Sequence, residues 1–509
     1  MQALYASASL TDKVNLFSDI QRLNADIIEL GWPTSEEHLK LFERCRKIKK
    51  NSKIAAFGST SKERDPERDF NLDMIVRTKA DYACIFGKTW MNHVSLQLRL
   101  NPEENLGRIG ESVKFLRKKE MKVIYDAEHF FDGYKDNPRY ALATLKAAHE
   151  AGAEYLVLCD TNGGTMMHEA VNIINEVKVG LREKGINAKL GTHFHNDCEM
   201  AVANALYTAP DVEMIQGTVN GMGERVGNLN WVTFAANWVY KMKNNLNLNW
   251  KYMTFVSLEA FKMAGLPVPN NLAYVGPAAF AHKGGIHIDA IRKGAIYEHI
   301  DPGIFGNERV LLLTTQGGKA SILNVAEKFG YQFDKNNPKF KKNVDRMFER
   351  LKTLESRGYR MEALPAEHFL LLEQYFGNFK NHFEIRKAEI LSRFDKKSEK
   401  SKASLKFAVD ERKVGGNSEV HGGPIHAFYH EALKTLGKEY KELRGLKILD
   451  YHVDLARRHG ADSTTRTAVT LNNGESFTTV GVSDNILKSG AEAIMKGFNY
   501  YLNEKMRKV

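Results

Sequence analysis

Leu190-Gly191-Thr192-His193-Phe194-His195-Asn196-Asp197 is the stretch on which the fold turns. It begins as a short strand-like run and ends with two histidines, two residues apart, followed by Asn-Asp. Alternate side chains of a strand share a face, so His193 and His195 are predicted to point the same way at its C-terminal end. Six further runs, at 27–30, 54–57, 83–86, 123–126, 155–158 and 214–217, have the same apolar, β-branched character. Amphipathic helical stretches separate them. In one, Val171, Ile174, Val177 and Leu181 recur at helical spacing, and Gly185 follows as a C-cap glycine. Consecutive βαβ units imply a parallel sheet. The chain opens on a helix, because Ser9 is a good N-cap and Val14, Phe17, Ile20 and Leu23 lie on one face. The expected fold class is therefore α/β: a TIM (β/α)8 barrel lacking its first strand, with a seven-stranded open sheet as the rival arrangement.

With 509 residues the chain is long enough for two or three folded units. The barrel is expected over 1–245 and a linker with helical subdomains over 246–394. The Lys/Ser run at 395–403 reads as an exposed linker, and a C-terminal α+β unit follows over 404–509, its two halves related. The strands of that last unit are expected near 404–409, 446–454, 464–471 and 476–482. No apolar run approaches the ~20 residues of a membrane span. The N-terminal residues lack the basic and apolar regions of a secretory signal, so the cytoplasm is the default location. Cys45, Cys84, Cys159 and Cys198 are spaced singly, as reduced thiols are, without a CxxC pair. The net charge of +11 is dispersed among acids and accompanies no nucleic-acid recognition motif. Neither a nucleic-acid nor a membrane partner is expected.

Several strand ends carry reactive groups. His193 and His195 are spaced to form half of a divalent-metal site, although two hydrogen-bonded interior histidines have the same spacing. The next strand leads into Thr218-Val219-Asn220-Gly221-Met222-Gly223-Glu224-Arg225-Val226-Gly227-Asn228, a glycine-rich loop at the same mouth. Asn228 can offer an oxygen there; a tight loop with a Glu224-Arg225 ion pair is the plainer reading. Glu128 and the Asp160-Thr161 pair end two other strands, where carboxylates and hydroxyls suit acid-base work and substrate anchoring. Downstream, His282 to His287 and Tyr297 to His299 add polar groups in a loop-rich region.

Together, Thr192 to Asp197 (THFHND), Asn220 to Asn228 (NGMGERVGN) and Phe280 to His287 (FAHKGGIH) resemble, in order and spacing, the 2-isopropylmalate, homocitrate and citramalate synthase family. The C-terminal stretches Gly422 to Ala427 and Thr479 to Ile486 are similar to that family's regulatory domain. Asp126 to Tyr134 and Ile85 to Trp90 look most like the citramalate branch. The resemblance implies acetyl-CoA and pyruvate as substrates, on a route to isoleucine; condensation with another 2-oxo acid, as by 2-isopropylmalate or homocitrate synthases, is the alternative. It implies a divalent metal, Mn2+ or Mg2+ with Zn2+ or Co2+ as other candidates, at His193, His195 and Asn228. It further implies catalytic roles for Glu128, His287 and Tyr297 and substrate contacts for Thr161 and His93. A homodimer with composite active sites and feedback by isoleucine at the C-terminal domain are implied as well.

Three departures stand out. Family members begin with a strand ending in TTLRDGxQ, whose arginine orients the oxo acid and whose aspartate binds the metal; the chain opens Met1-Gln2-Ala3, which aligns just after it. Two readings follow, a start lying further upstream or an inactive chain kept for dimerisation and amino-acid sensing. Glu199 replaces a usual glycine, and Gln316-Gly317-Gly318-Lys319 replaces a usual SGR or SGK.

Overall fold

The structure is a computed structural model describing residues 7–332, 334, 336–362, 364–394, 399–457 and 463–507. It divides into two compact units. The first comprises residues 1–280 with 300–308, the second 281–299 with 309–509.

In the first unit the seven expected strands all form: β1 (Ile27–Glu29), β2 (Lys53–Ser59), β3 (Tyr82–Lys88), β4 (Lys122–Glu128), β5 (Tyr155–Asp160), β6 (Lys189–Phe194) and β7 (Met214–Gln216). They pair in sequence order, every pair parallel. Among the described residues no strand closes β7 back onto β1. Helices Glu36–Ile48, Phe70–Arg77, Pro102–Lys118, Pro138–Glu150, Met167–Arg182 and Ala201–Thr208 fill the crossovers. The opening helix is Leu10–Gln21, with a Ser9–Asp12 capping box satisfying its free N–H groups.

Each strand serves two interiors because its side chains alternate. One face packs Ile54, Ile85, Val123, Leu156, Leu158 and Phe194 against the helices. The other gathers Ala55, Tyr82, Cys84, Ile124, Val157 and Cys159. Three of the four thiols are buried as apolar filler, whereas Cys198 is exposed. The expected boundary at 245 is not where the unit ends. Met253, Val256, Tyr274, Val275 and Phe305 pack with Leu23, Val232 and Ala236, so residues beyond 246 share this unit's packing.

The second unit begins with helices Gly285–Arg292, Gly318–Lys328, Pro338–Ser356 and Pro365–Phe376. Two three-stranded antiparallel sheets follow: β8 (Glu384–Phe394), β9 (Glu399–Val409) and β10 (Arg412–His421), then β11 (Lys447–Arg457), β12 (Thr464–Asn472) and β13 (Ser476–Ser483). Each is followed by a helix, Pro424–Glu439 or Ile486–Arg507, so the two halves repeat one βββα order of three strands and a helix. The sequence reading missed β8 and β10. The 395–403 linker needs correcting too: Glu399 to Ala403 belong to β9, and Phe394 pairs with Glu399. Residues 395–398 of that run lie outside the described residues. The charged run through Arg386 and Lys387 looks helical in isolation, and its strand form depends on pairing with β9. Alternate residues Ala403, Leu405, Phe407 and Val409 then enter the core.

Candidate active site

His193, the penultimate residue of β6, lies on the inner face and His195 follows two residues later, their ring centroids 5.2 Å apart. Asn228 comes to both, because residues 195 and 228 form an antiparallel bridge. Its Nδ2 lies 3.1 Å from His193 Nε2 and 3.3 Å from His195 Nε2. The glycines make this approach possible: a Cβ on Gly223 would stand 1.8 Å from Asn228 Oδ1, and Gly227 has φ +108°. Burial, helped by the neighbouring His193 and Arg225, pushes His195 down to about 3, so it is neutral near pH 7.

Arg225 does not pair with Glu224 as the plainer reading expected. Its guanidinium grips Asp197, Nε to Oδ1 at 2.8 Å and Nη2 to Oδ2 at 2.9 Å, and Nη2 also donates to the Thr161 carbonyl at 2.7 Å. One side chain thereby ties together the loops after β5, β6 and β7. Hydrogen bonding from Arg225 holds the Asp197 carboxyl below its ordinary range. Glu199 is exposed and adopts φ +57°, a left-handed conformation that glycine adopts without steric cost.

Glu128 ends β4 beside a partner absent from the sequence-based set. Lys88 of β3 is its register partner, and Lys88 Nζ lies 2.5 Å from Glu128 Oε2, with the lysine buried. The next residue, His129, donates its backbone N–H to Thr161 Oγ1 at 2.8 Å, and its ring lies tilted against that of His93 with centroids 4.1 Å apart. His93 also stacks on Trp90, and burial together with His129 lowers its pKa. Two residues before Glu128, on the same face, Asp126 accepts from Gln216 Nε2 at 2.9 Å, and Gln216 Oε1 meets His193 Nδ1 at 2.9 Å. Burial raises the Asp126 carboxyl, opposed by His193 and the Gln216 bond. Glu128, His93, Thr161, His193, His195 and Asn228 thus all lie at the C-terminal ends of the first unit's strands or in the loops that follow. Lys88, Asp126 and Gln216 were missed. Their positions on alternate inward sites of strands were the available signal.

His287 and Tyr297 belong to the second unit, where their rings lie 4.5 Å apart. His282 stands edge-on to His287 and bonds Glu298 Oε1 through Nε2 at 3.1 Å, while Arg309 clamps Glu298 through both carboxylate oxygens. The expected catalytic trio is therefore divided, Glu128 in one unit and His287 and Tyr297 in the other. Among the described residues no three His, Cys, Asp or Glu side chains form a metal-holding group. Two imidazoles and one amide converge instead.

Family profiles match in three consecutive blocks: HMGL-like over residues 1–258, the homocitrate synthase post-HMGL domain over 274–358, and the LeuA allosteric (dimerisation) domain over 364–502. An (R)-citramalate synthase of Geobacter sulfurreducens is 38% identical over 99% of this chain and 96% of its own length. Those of Aquifex aeolicus and Sulfolobus acidocaldarius are 36% and 35% identical, over 97% and 100% of this chain and 94% and 96% of their own lengths. The chain belongs to the HMGL-like family of acyl-condensing synthases, in the company of the (R)-citramalate synthases.

Proposed function

We propose that this chain condenses acetyl-CoA with pyruvate and water to give (R)-citramalate and CoA, for isoleucine biosynthesis. The observation that carries the reading is full-length similarity to citramalate synthases, joined to the convergence of His193, His195 and Asn228 at the mouth of the parallel sheet. The two imidazoles fit a divalent cation, because the neutral ring is the ligating form; Asn228, whose Nδ2 faces both rings, would join them as an oxygen ligand by turning its amide over. Mn2+ or Mg2+ bound there would polarise the ketone of the oxo acid as a Lewis acid. Glu128 takes a proton from the acetyl methyl group, with His287 and Tyr297 as further proton carriers. The methyl carbon then forms a C–C bond to the ketone carbon, whose oxygen takes up a proton. Water next cleaves the thioester C–S bond, leaving a carboxylate and the CoA thiol. Thr161 and His93 line the same mouth and position the oxo acid.

The C-terminal domain is proposed to form a homodimer with composite active sites and to bind isoleucine as feedback inhibitor, supported by its LeuA-type match. No described helix is long and apolar enough to cross a membrane, in keeping with a cytoplasmic role. The test is thiol release from acetyl-CoA with pyruvate, 2-oxoisovalerate or 2-oxoglutarate and added Mn2+. Pyruvate is expected to be the preferred acceptor. Preference for either other acid rejects the citramalate assignment, and no turnover by folded chain with any of them rejects the enzymatic reading.

A further inference from the structure

Gln216 has no place in the chemistry so far, yet it stands between two of the mouth's most consequential side chains. Register pairs it directly with His193 across β6 and β7. Its carboxamide has one accepting end and one donating end, so the two contacts cannot be satisfied by the same atom. The Nε2 end lies 2.9 Å from Asp126 Oδ1, and the Oε1 end lies 2.9 Å from His193 Nδ1. A carboxylate only accepts, so Asp126 selects which end of the amide faces it. The opposite end then presents an acceptor to His193, and Nδ1 must carry the ring proton. The far side of the ring agrees. Asn228 Nδ2 lies 3.1 Å from His193 Nε2, where a donor meets a lone pair.

We propose that Gln216 is a positioning residue that, oriented by Asp126, holds His193 in its Nδ1-protonated tautomer and so keeps the Nε2 lone pair facing His195 and Asn228. The inference deepens the proposed function and rests on its reading of His193 as a metal ligand. Polar partners behind a ligating histidine fix ring orientation and tautomer, and their loss typically weakens metal binding by about 10–100-fold. Asp126, Gln216 and His193 form a chain of that kind, assembled from three strands, β4, β7 and β6.

Two variants separate positioning from mere packing. Gln216→Leu keeps bulk and removes the acceptor. Gln216→Glu keeps an acceptor toward His193 but sets a second carboxylate beside Asp126. Mn2+ affinity, followed by the electron paramagnetic resonance of free Mn2+, is expected to fall by about 10–100-fold in Gln216→Leu and by much less in Gln216→Glu. Thermal stability should rank them in the opposite order, since like charges brought together in a buried site destabilise it. A simple packing role predicts the same order in both measurements and would overturn the proposal. So would a folded Gln216→Leu whose Mn2+ affinity equals that of the parent chain. Nitrogen-15 spectra of the metal-free, histidine-labelled parent give an independent readout. The resonance pair lost in His193→Ala should show the proton on Nδ1, and a proton on Nε2 rejects the inference. If the parent binds no Mn2+ while that proton is on Nδ1, the metal reading fails and the tautomer assignment stands.

Discussion

The inner face of the parallel sheet changes character along the strands. Its N-terminal half is filled by Ala55, Cys84, Ile124 and Val157, apolar side chains that hold the strands together. One or two inward positions further on, β3 and β4 present Lys88, Asp126 and Glu128, and the neighbouring β6 and β7 present His193 and Gln216. Both halves share one backbone ladder, so secondary structure does not distinguish them. The lower half contributes stability through the removal of apolar surface from water. The upper half holds charges and hydrogen-bonding groups close together, at a cost in stability, where substrates can reach them. Stability and chemistry are separated along the strand axis, which is why a change at one end should leave the other largely intact.

The sharpest way to break that contrast is at the upper end. Glu128→Gln should lower kcat by about 10²–10⁴-fold, the usual worth of a general base, and should also lower the unfolding midpoint, because the buried Lys88 loses its carboxylate. CoA release per folded molecule, with the folded fraction taken from urea titrations, decides it; undiminished turnover by the folded fraction would remove Glu128 from the chemistry. Next in size, His195→Ala is expected to weaken Mn2+ binding by at least about a hundredfold while the metal-free chain keeps its melting temperature. At the lower end the pattern should invert. Ile124→Ala removes buried apolar volume and should cost about 2–5 kcal/mol in urea unfolding, with the activity of the remaining folded molecules close to normal.

The smallest effect concerns a histidine in the second unit, a useful foil for His193 and His195. His368 is buried, its Nε2 donates to the Met361 carbonyl, and burial pushes it down to about 4. A histidine of lowered pKa is neutral when folded but takes up a proton when unfolded, so acid favours unfolding. Its share of stability is complete above pH ~6.5 and is lost progressively as pH falls towards 4, up to about 3 kcal/mol. His368→Gln should flatten the fall in melting temperature over that window without altering Mn2+ affinity. An unchanged slope would remove His368 from the acid response.

Much of the site was legible before folding. His193 and His195 share a face because strand periodicity is local, and the Gly-rich run to Asn228 announced a loop at the same end. The ion pair of that loop was misassigned, since Arg225 turns to Asp197 on a different loop. Strand β8 escaped notice because its charged residues suit a helix equally well until a neighbouring strand supplies hydrogen bonds, and β10 because Gly415-Gly416-Asn417 disfavour a strand until β9 pairs with them.

What the amino-acid sequence determined by itself was the alternation of strands and helices, the inward direction of the two histidines and the motifs that place the chain in its family. Each depends on contacts between residues near in sequence, or on identity alone. Only tertiary structure decided that Lys88 lies against Glu128, that Gln216 stands between Asp126 and His193, and that residues 253–275 pack with the barrel strands' unit. The first two pairings depend on strand register, which is set when whole side-chain faces pack together, and a shift of one residue would turn both of them away; the third depends on apolar faces of segments distant in sequence meeting.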